Sequence, residues 1–376
     1  MTIDAQERAA LADAVREAAS DGPREYLDEQ GAPQRDARLW TLLTEQMGVA
    51  GLLVDEDAGG AGAGIAEMAL VLEQLAASLS VVPALSSIGT ATAMLRVAAS
   101  APASQLLTEL ASGAHTATVA WPQPESYGVE PVLVAVGETA TGAGVVVNGR
   151  TDFVLDGMSA DIVLAPARCG ERSVLVGIET ADPWVRRNPM NALDLTRGFA
   201  SMEFTDVPAR LIAADADLQP ALDLTLVLVA AEQVGLAQHC HDTAVAWAKE
   251  RVQFDRPIGQ FQAIKHQLVD LLMALELARS SLDVAVEAAD AFLAAPGPAS
   301  ARGLSVAASA AKARCGDAAM LVADESLHIL GGIGFTWEHD AHLYFRRAKT
   351  LEVLLGTPAA HRRRFTSLLL EDAAHA

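Results

Sequence analysis

Two long stretches of helical periodicity, joined through the run ERVQFDRPIGQFQAIKHQLVD at 250–270, limit what this chain can fold into more than any other feature. The first opens at Pro220, a residue suited to the first turn of a helix, and runs to about Arg251, roughly 45 Å at ~1.5 Å per residue. Its mate covers about 261–294. Pro257 and Gly259 punctuate the join, so the first helix is expected to stop near Phe254 and the second to start near Gln260. Helices of that length with so short a connection lie antiparallel and bury a shared stripe. The corner gathers Arg251, Gln253, Phe254, Arg256, Gln262, Lys265 and His266, which suits either a solvated basic corner or a small anionic ligand.

Pro296, Gly297 and Pro298 break the second helix, a third covers about 299–329 and stops at Gly331-Gly332, and a fourth lies between Asp340 and Leu354. Four neighbouring antiparallel helices read as a bundle. Upstream, from His115 to Leu211, β-branched runs alternate with Gly, Asn and Asp turns, and Asn148-Gly149 reads as a hairpin turn. The first third is helical again. Ala9, Leu11, Ala14 and Ala18 recur at helical spacing, as do Arg35, Leu39, Leu42, Leu43 and Met47, with further helices at 65–79 and 106–111. Between them, VAGLLVDEDAGGAGAG at 49–64 is a tight irregular connection, with neither a GxGxxG after a strand nor a Lys-Ser/Thr pair to make it a nucleotide loop. The expected fold is therefore a multidomain α+β chain. An N-terminal helical domain (1–114) precedes a central, mostly antiparallel β domain (115–212) and a C-terminal four-helix bundle domain (213–376).

Composition narrows the function. A net charge of −21 opposes broad binding to nucleic acid, because such affinity rests on phosphate neutralisation, so an anionic ligand needs a local basic pocket. No unbroken apolar run reaches the ~18 residues that span a bilayer, and the polar amphipathic N-terminus shows no secretory signal. Cys169, Cys240 and Cys315 lie far apart and cannot all pair, which fits a reducing cytoplasm. His239 and His241, two apart on a helix, do not share a face, so no metal site is expected there.

Several runs, taken in order, carry a resemblance. KERVQFDRPIGQFQAIKHQL is similar to the ERxQFGxPIxxFQ segment of the acyl-CoA dehydrogenase family, and LHILGGIGF to its QxLGGxGF segment, with His328 in place of glutamine. Leu355-Gly356-Thr357 stands where the family has EGT, GRTDFVLDGMSAD stands where it has KxWIT, and the 49–64 connection resembles its PEExGG link. The resemblance implies a flavoprotein that desaturates an acyl-CoA thioester, with FAD, an electron-transferring flavoprotein or similar acceptor, and a homo- or heterotetramer. It also implies that Arg251, Phe254, Gln262, Gly331 and Gly332, with Thr357, serve the FAD, the first five across a subunit interface. The residues leave other roles open. Arg251 also suits a helix C-terminus, the glycines suit a helix cap, and Thr357-Pro358 is a good helix start.

The departures are as informative as the matches. The family's usual base, the glutamate of EGT, is here Leu355. The alternative position, in a segment similar to LDLERLVLAAG, is Thr225 within LDLTLVLVAAE. Glu232, seven residues on, returns to nearly the same helix face and is the reserve candidate for the base, although a buried, paired carboxylate explains it equally well. Phe153 and Leu155 replace the tryptophan and threonine of the family's flavin contact, Asp255 replaces the glycine of QFG, and WPQPES stands for TEPxxGSD. These losses resemble the family's degenerate subunits, which complete a partner's site in α2β2 heterotetramers and occur among steroid-degrading members. Two readings follow: an acyl-CoA dehydrogenase in its own right, or a non-catalytic partner subunit that completes another chain's FAD site.

Overall fold

The computed structural model describes residues 4–19, 22, 25, 27, 33–121, 129–137 and 144–375. Helices form first. α1 (Ala5–Ala18) starts on a capping box in which the Asp4 carboxylate accepts from the Glu7 amide and the Glu7 side chain returns to the Asp4 amide. α2 (Ala37–Thr41), capped by buried Asp36, runs into a π-turn at Leu42–Gln46. The expected irregular connection follows as two short 3-10 turns. Gly60 is obligatory there, since a Cβ on it would lie 2.0 Å from the Val54 carbonyl oxygen.

α3 (Ile65–Ala77) is tied to the far end of the chain. Asp290 accepts hydrogen bonds from the Ile65 amide at 2.6 Å and the Ala66 amide at 3.3 Å, capping the helix from 225 residues away. A π-helical stretch (Ala84–Ala91) then runs into α4 (Thr92–Ala98), and α5 (Ala101–Ala111) follows. Periodicity does not foretell helix at 84–98. The π-helical half is buried on every side, so no apolar stripe marks it.

The β domain comprises β1 (Ala117–Val119), β2 (Leu133–Val136), β3 (Gly144–Leu155), β4 (Ile162–Cys169), β5 (Arg172–Glu179), β6 (Val185–Met190) and β7 (Phe199–Ala214). Strands pair in the order β4-β2-β3-β7-β5, and β5 returns to β4, closing a small barrel, with β1 added beside β4 and β6 beside β7. Pairing is antiparallel except for β1–β4 and β2–β4. One expectation fails here. Asn148-Gly149 is no hairpin turn but lies inside β3, where the register against β7 slips between Val147 and Gly149. Gly149 (φ +138°) supplies the positive φ of a bulge instead, and Asn148 locks it by exchanging hydrogen bonds of 2.9 Å with Asp206.

The bundle is built on α6 (Gln219–Glu250), α7 (Gln262–Ala294), α8 (Pro298–Leu330), α9 (Ala341–Val353) and a last helix, α10 (Pro358–His375). α6 is long and apolar enough to cross a membrane, but that window lies entirely inside the protein, so it is the core helix. It approaches α3 so closely that a Cβ on Gly235 would meet the Glu73 carbonyl oxygen at 2.1 Å. The N-terminal helices and the bundle share one apolar core, and the barrel interior forms another. The join between α6 and α7 also differs from expectation. α6 ends at Glu250, before Phe254, because Val252–Gln253 (β8) pairs with Arg256–Pro257 (β9) in a miniature hairpin.

Candidate active site

Where the barrel meets the helices lies a cavity of about 440 Å³. The π-helix contributes Leu85 and Ser86, β3 contributes Asp152, Phe153 and Leu155, α6 contributes Thr225 and Val229, and the end of α9 contributes Thr350 to Leu355 in part. Both positions at which the resemblance places a base, Leu355 and Thr225, face this one hollow. Neither can take a proton from carbon. The hydroxyl of Thr225 is turned back to the Ala221 carbonyl at 2.8 Å.

The loop that carries Leu355 is held firmly. Leu355 has φ +57°, a strained conformation for a branched residue, and Gly356 follows at φ +105°. Buried Lys312 on α8 donates to the carbonyls of Glu352 and Gly356 at 3.1 Å each, and His361 on α10 lies 2.8 Å from the Leu355 carbonyl. Burial lowers the Lys312 pKa to about 7, and burial with the nearby Lys312 charge lowers that of His361 to about 3. A Cβ on Gly356 would sit 2.8 Å from His361 Nε2, so the glycine is required by close approach as well as by φ. The hydroxyl of Thr357 accepts from the Ala360 amide at 3.3 Å and caps α10.

Asp152 is the one carboxylate on the cavity wall among the described residues. The Ser201 hydroxyl and the Arg150 guanidinium, 3.1 Å away, hold it below the usual carboxylate range, which makes it a weak proton acceptor. Glu232 takes the second of its two readings, the buried, paired carboxylate, and not the reserve role of base. It does not line the cavity but forms a buried ion pair with Arg197, its side chain 4% exposed. Close by, buried Arg347 pairs with Asp194 and donates to the Thr196 carbonyl at 3.2 Å. Sequence reading missed Arg197 and Lys312. Lys312, a lone lysine amid small residues in ASAAKARCG, is the one visible in retrospect.

The exposed corner contrasts with the cavity. Phe254 and Asp255 form the turn of the β8–β9 hairpin with φ of +55° and +62°, and Phe254 is 86% exposed. Arg251 is the C-cap residue of α6, its guanidinium 5.7 Å from the Trp247 ring, while Arg256 lies 4.1 Å over Phe261. Gln262 is exposed at the first position of α7. α7 and α8 are each 33 residues long and reverse direction at 295–297, so Gly331 and Gly332 lie at the end of the bundle where α7 begins. A Cβ on either glycine would meet nothing within 4 Å. Gly331, at φ +67°, ends α8, and the aromatic rings of Phe335 and Trp337 stand exposed beyond it. Thr357 is not part of this group. Its loop is held by Lys312, roughly 27 Å back along α8 at ~1.5 Å per residue.

Sequence models of the acyl-CoA dehydrogenase N-terminal and C-terminal domains match residues 5–114 and 218–369. The chain belongs to the acyl-CoA dehydrogenase family. Acyl-CoA dehydrogenase IpdE2 of Mycolicibacterium smegmatis is 35% identical over 331 residues, which cover 88% of this chain and 87% of that protein. Acyl-CoA dehydrogenase FadE34 of Mycobacterium tuberculosis is 37% identical over 322 residues, 86% of this chain but 41% of FadE34. Among solved structures, the ChsE4-ChsE5 complex from Mycobacterium tuberculosis superposes with a TM-score of 0.84 at 27% identity, covering 99% of this chain and 98% of that one.

FAD, the cofactor typical of acyl-CoA dehydrogenases, fits the two regions unequally. The exposed corner offers what a pyrophosphate and an aromatic ring system need: a cation at Arg251, an outward ring at Phe254, and open backbone at the glycines. The cavity does not fit the polar edge of a flavin ring. Leu155 has no hydroxyl, and the Thr118 hydroxyl is spent on the Leu155 carbonyl at 2.6 Å. That of Ser86 is spent on Asp156 at 2.5 Å. The run 122–126, in which the remainder of WPQPES lies, falls outside the described residues.

Proposed function

We propose that this chain is the base-lacking subunit of a two-subunit acyl-CoA dehydrogenase. Its role is to complete the FAD site of a partner chain through the Arg251–Gln262 corner and the Gly331-Gly332 loop. The observation that carries this reading is the cavity wall. Leu355 and Thr225 face the hollow at both positions where the family places its base, and Glu232 is consumed by Arg197.

The relatives support it from another direction. ChsE4-ChsE5 is a complex, and 59% of FadE34, the complement of the 41% matched, is long enough to hold a second unit of this size. When bound, FAD accepts the hydride from the acyl thioester. This chain's residues hold rather than react. Arg251 balances pyrophosphate charge with charge-assisted hydrogen bonds, the Phe254 ring covers an aromatic face, and the glycine amides approach phosphate oxygens that a Cβ would keep away. The base and the thioester contacts come from the partner chain, and an electron-transferring flavoprotein or similar acceptor removes the electrons.

The test is flavin stoichiometry. The chain is purified alone and after co-expression with the product of its neighbouring gene. One flavin for every two chains, present only in the complex, is the expected result. A full complement of flavin on this chain alone, with dehydrogenation of acyl-CoA, overturns the reading in favour of a self-sufficient dehydrogenase.

A further inference from the structure

α7 is apolar on two opposite faces. One, which carries Leu271, Leu275, Leu282 and Ala289, is buried against the rest of the bundle. A helix with one buried stripe is expected to turn polar residues outward on the other side. Here the outward line instead holds Val269, Met273, Leu277 and Val284, each more than half exposed, over about 22 Å at ~1.5 Å per residue. α8 adds to this surface. The hydrogen bonds from Gln267 to Glu325 and from Cys315 to the Ala278 carbonyl set α8 antiparallel to α7, which brings exposed Leu321 level with Leu272. An apolar surface of this kind marks a contact with another molecule.

The order of the side chains says what covers it. The exposed outward positions 266, 269, 273, 280, 284 and 287 mirror one another about a point between Glu276 and Leu277. Their steps of three and four are those of a helix–helix seam. A second copy of the chain, laid antiparallel about a two-fold axis at that point, therefore meets its own complement. Val269 faces Val284 of the second copy, Met273 faces Ser280 of the second copy, and His266 faces Glu287 of the second copy. Lys265 stands on the same side of the stripe as Glu287, so the basic start of one α7 meets the acidic end of the other. Neither Lys265 nor Glu287 has an ion-pair partner within the chain among the described residues. A parallel copy would set like charge on like charge at both ends. In the antiparallel arrangement Glu276 meets its own counterpart, but at an exposed edge where water screens the pair. Two 33-residue helices, each ~50 Å long and ~10 Å wide, offer on the order of 1,000 Å², above the ~800 Å² per partner of a stable interface.

We propose that the outward face of α7 is a contact between two copies of this chain, antiparallel about an axis at Glu276–Leu277. The contact does not depend on which chain holds the flavin, because it uses neither the Arg251–Phe254 corner nor the Gly331-Gly332 loop.

Native mass spectrometry of the purified full-length chain, or of the complex in which it purifies, counts copies of the chain per particle. Two or more are expected. Met273→Glu, at an exposed site that leaves the core alone, should halve that number with the circular dichroism of the chain unchanged. Leu277→Cys, beside the axis, should cross-link to its own counterpart under mild oxidation, with the wild type, whose Cys240 and Cys315 are buried, as the control. Charge reversal tests the direction of the copies. Lys265→Glu or Glu287→Lys alone should weaken the contact roughly tenfold, because a two-fold interface contains each pair twice, and the double reversal should restore it. A single copy per particle, a copy number untouched by Met273→Glu, or failure of the double reversal to rescue would each overturn the proposal. So would loss of a different chain from the Met273→Glu complex with the copy number intact, which assigns the face to that chain. Flavin content is read by absorbance on the same samples, so failure of this contact is distinguishable from failure of the flavin reading.

Discussion

The cavity and the exposed corner, the two halves of the proposed function, differ in opposite ways in what they offer a cofactor. The cavity keeps its shape and its scaffolding: Lys312 and His361 still grip a strained loop whose tip points nothing ionisable at the hollow. The corner, in the proposed function, keeps the groups that a partner's cofactor would need. Phe254 is held in a left-handed conformation at 86% exposure, and two glycines lie open to solvent. Backbone strain at an exposed aromatic, whose ring meets only the edge of Phe261 at a centroid distance of 6.1 Å among the described residues, is the pattern of a group shaped for contact with another molecule. On the proposed reading, the comparison shows a fold that gives up its reacting group while retaining what it lends to a neighbour.

The largest expected effect tests whether the cavity side truly lacks a base. Glu232→Ala leaves Arg197 charged, buried and unanswered, which should cost about 3–5 kcal/mol of stability. Chemical denaturation measures the loss, and turnover of the surviving folded complex should be nearly unchanged. A turnover that collapses while stability holds would give the cavity a base after all and break the contrast.

Next comes the corner. Arg251→Ala in the complex should weaken FAD binding by roughly ten- to a hundredfold, about 1.5–3 kcal/mol for a charge-assisted contact, while the melting temperature of the isolated chain stays put. Flavin titration by fluorescence reads the first and calorimetry the second. Equal loss of both would make Arg251 a helix-end residue only.

Leu355→Glu returns a carboxyl to the grip of Lys312 and His361. Burying it in an apolar hollow should destabilise the chain by about 1–3 kcal/mol without conferring dehydrogenase activity on the isolated chain. Activity from that single change would mean that the cavity still takes flavin, and the comparison would have to be redrawn.

How much of this was legible in the sequence depends on what each residue answers to. The bounds of α6, α7 and α8 follow from proline, glycine and a helical apolar period, all local signals, and the structure departs from them by a few residues at most. Asn148-Gly149 was misleading because a bulge and a hairpin turn ask for the same positive φ, and only the pairing partner tells them apart. The stretch 84–98 carries no readable stripe because half of it is buried all round. In the candidate site, Leu355 and Thr225 were readable as absences. Glu232 was readable as a buried, paired carboxylate, but its partner was not, since Arg197 lies 35 residues away on the approach to β7.

The grip on the Leu355 loop also has a pH signature. Lys312 has a pKa of about 7 in the fold and near 10.5 when unfolded, so between those values the unfolded chain binds the extra proton. Stability should therefore rise with pH across that window, by at most about 1.4 kcal/mol per pH unit. Lys312→Met should flatten the slope between pH 7 and 10. An unchanged slope would show that the loop is held without this titration, and that the cavity's scaffolding is less intact than its geometry indicates.

The smallest effect concerns Thr357, which the resemblance assigns to the flavin and the structure places as the cap of α10. Removing a threonine N-cap costs about 1 kcal/mol, because one amide of the first turn loses its acceptor. Thr357→Ala should lower stability by that amount and Thr357→Ser should restore most of it, with flavin affinity of the complex unchanged in both. A cap on a helix packed against α8 acts on the fold alone, whereas a flavin contact would move affinity with little change in melting. If affinity falls and stability does not, the hydroxyl serves a cofactor on the cavity side, and the division between a silent cavity and an active corner fails at this residue first.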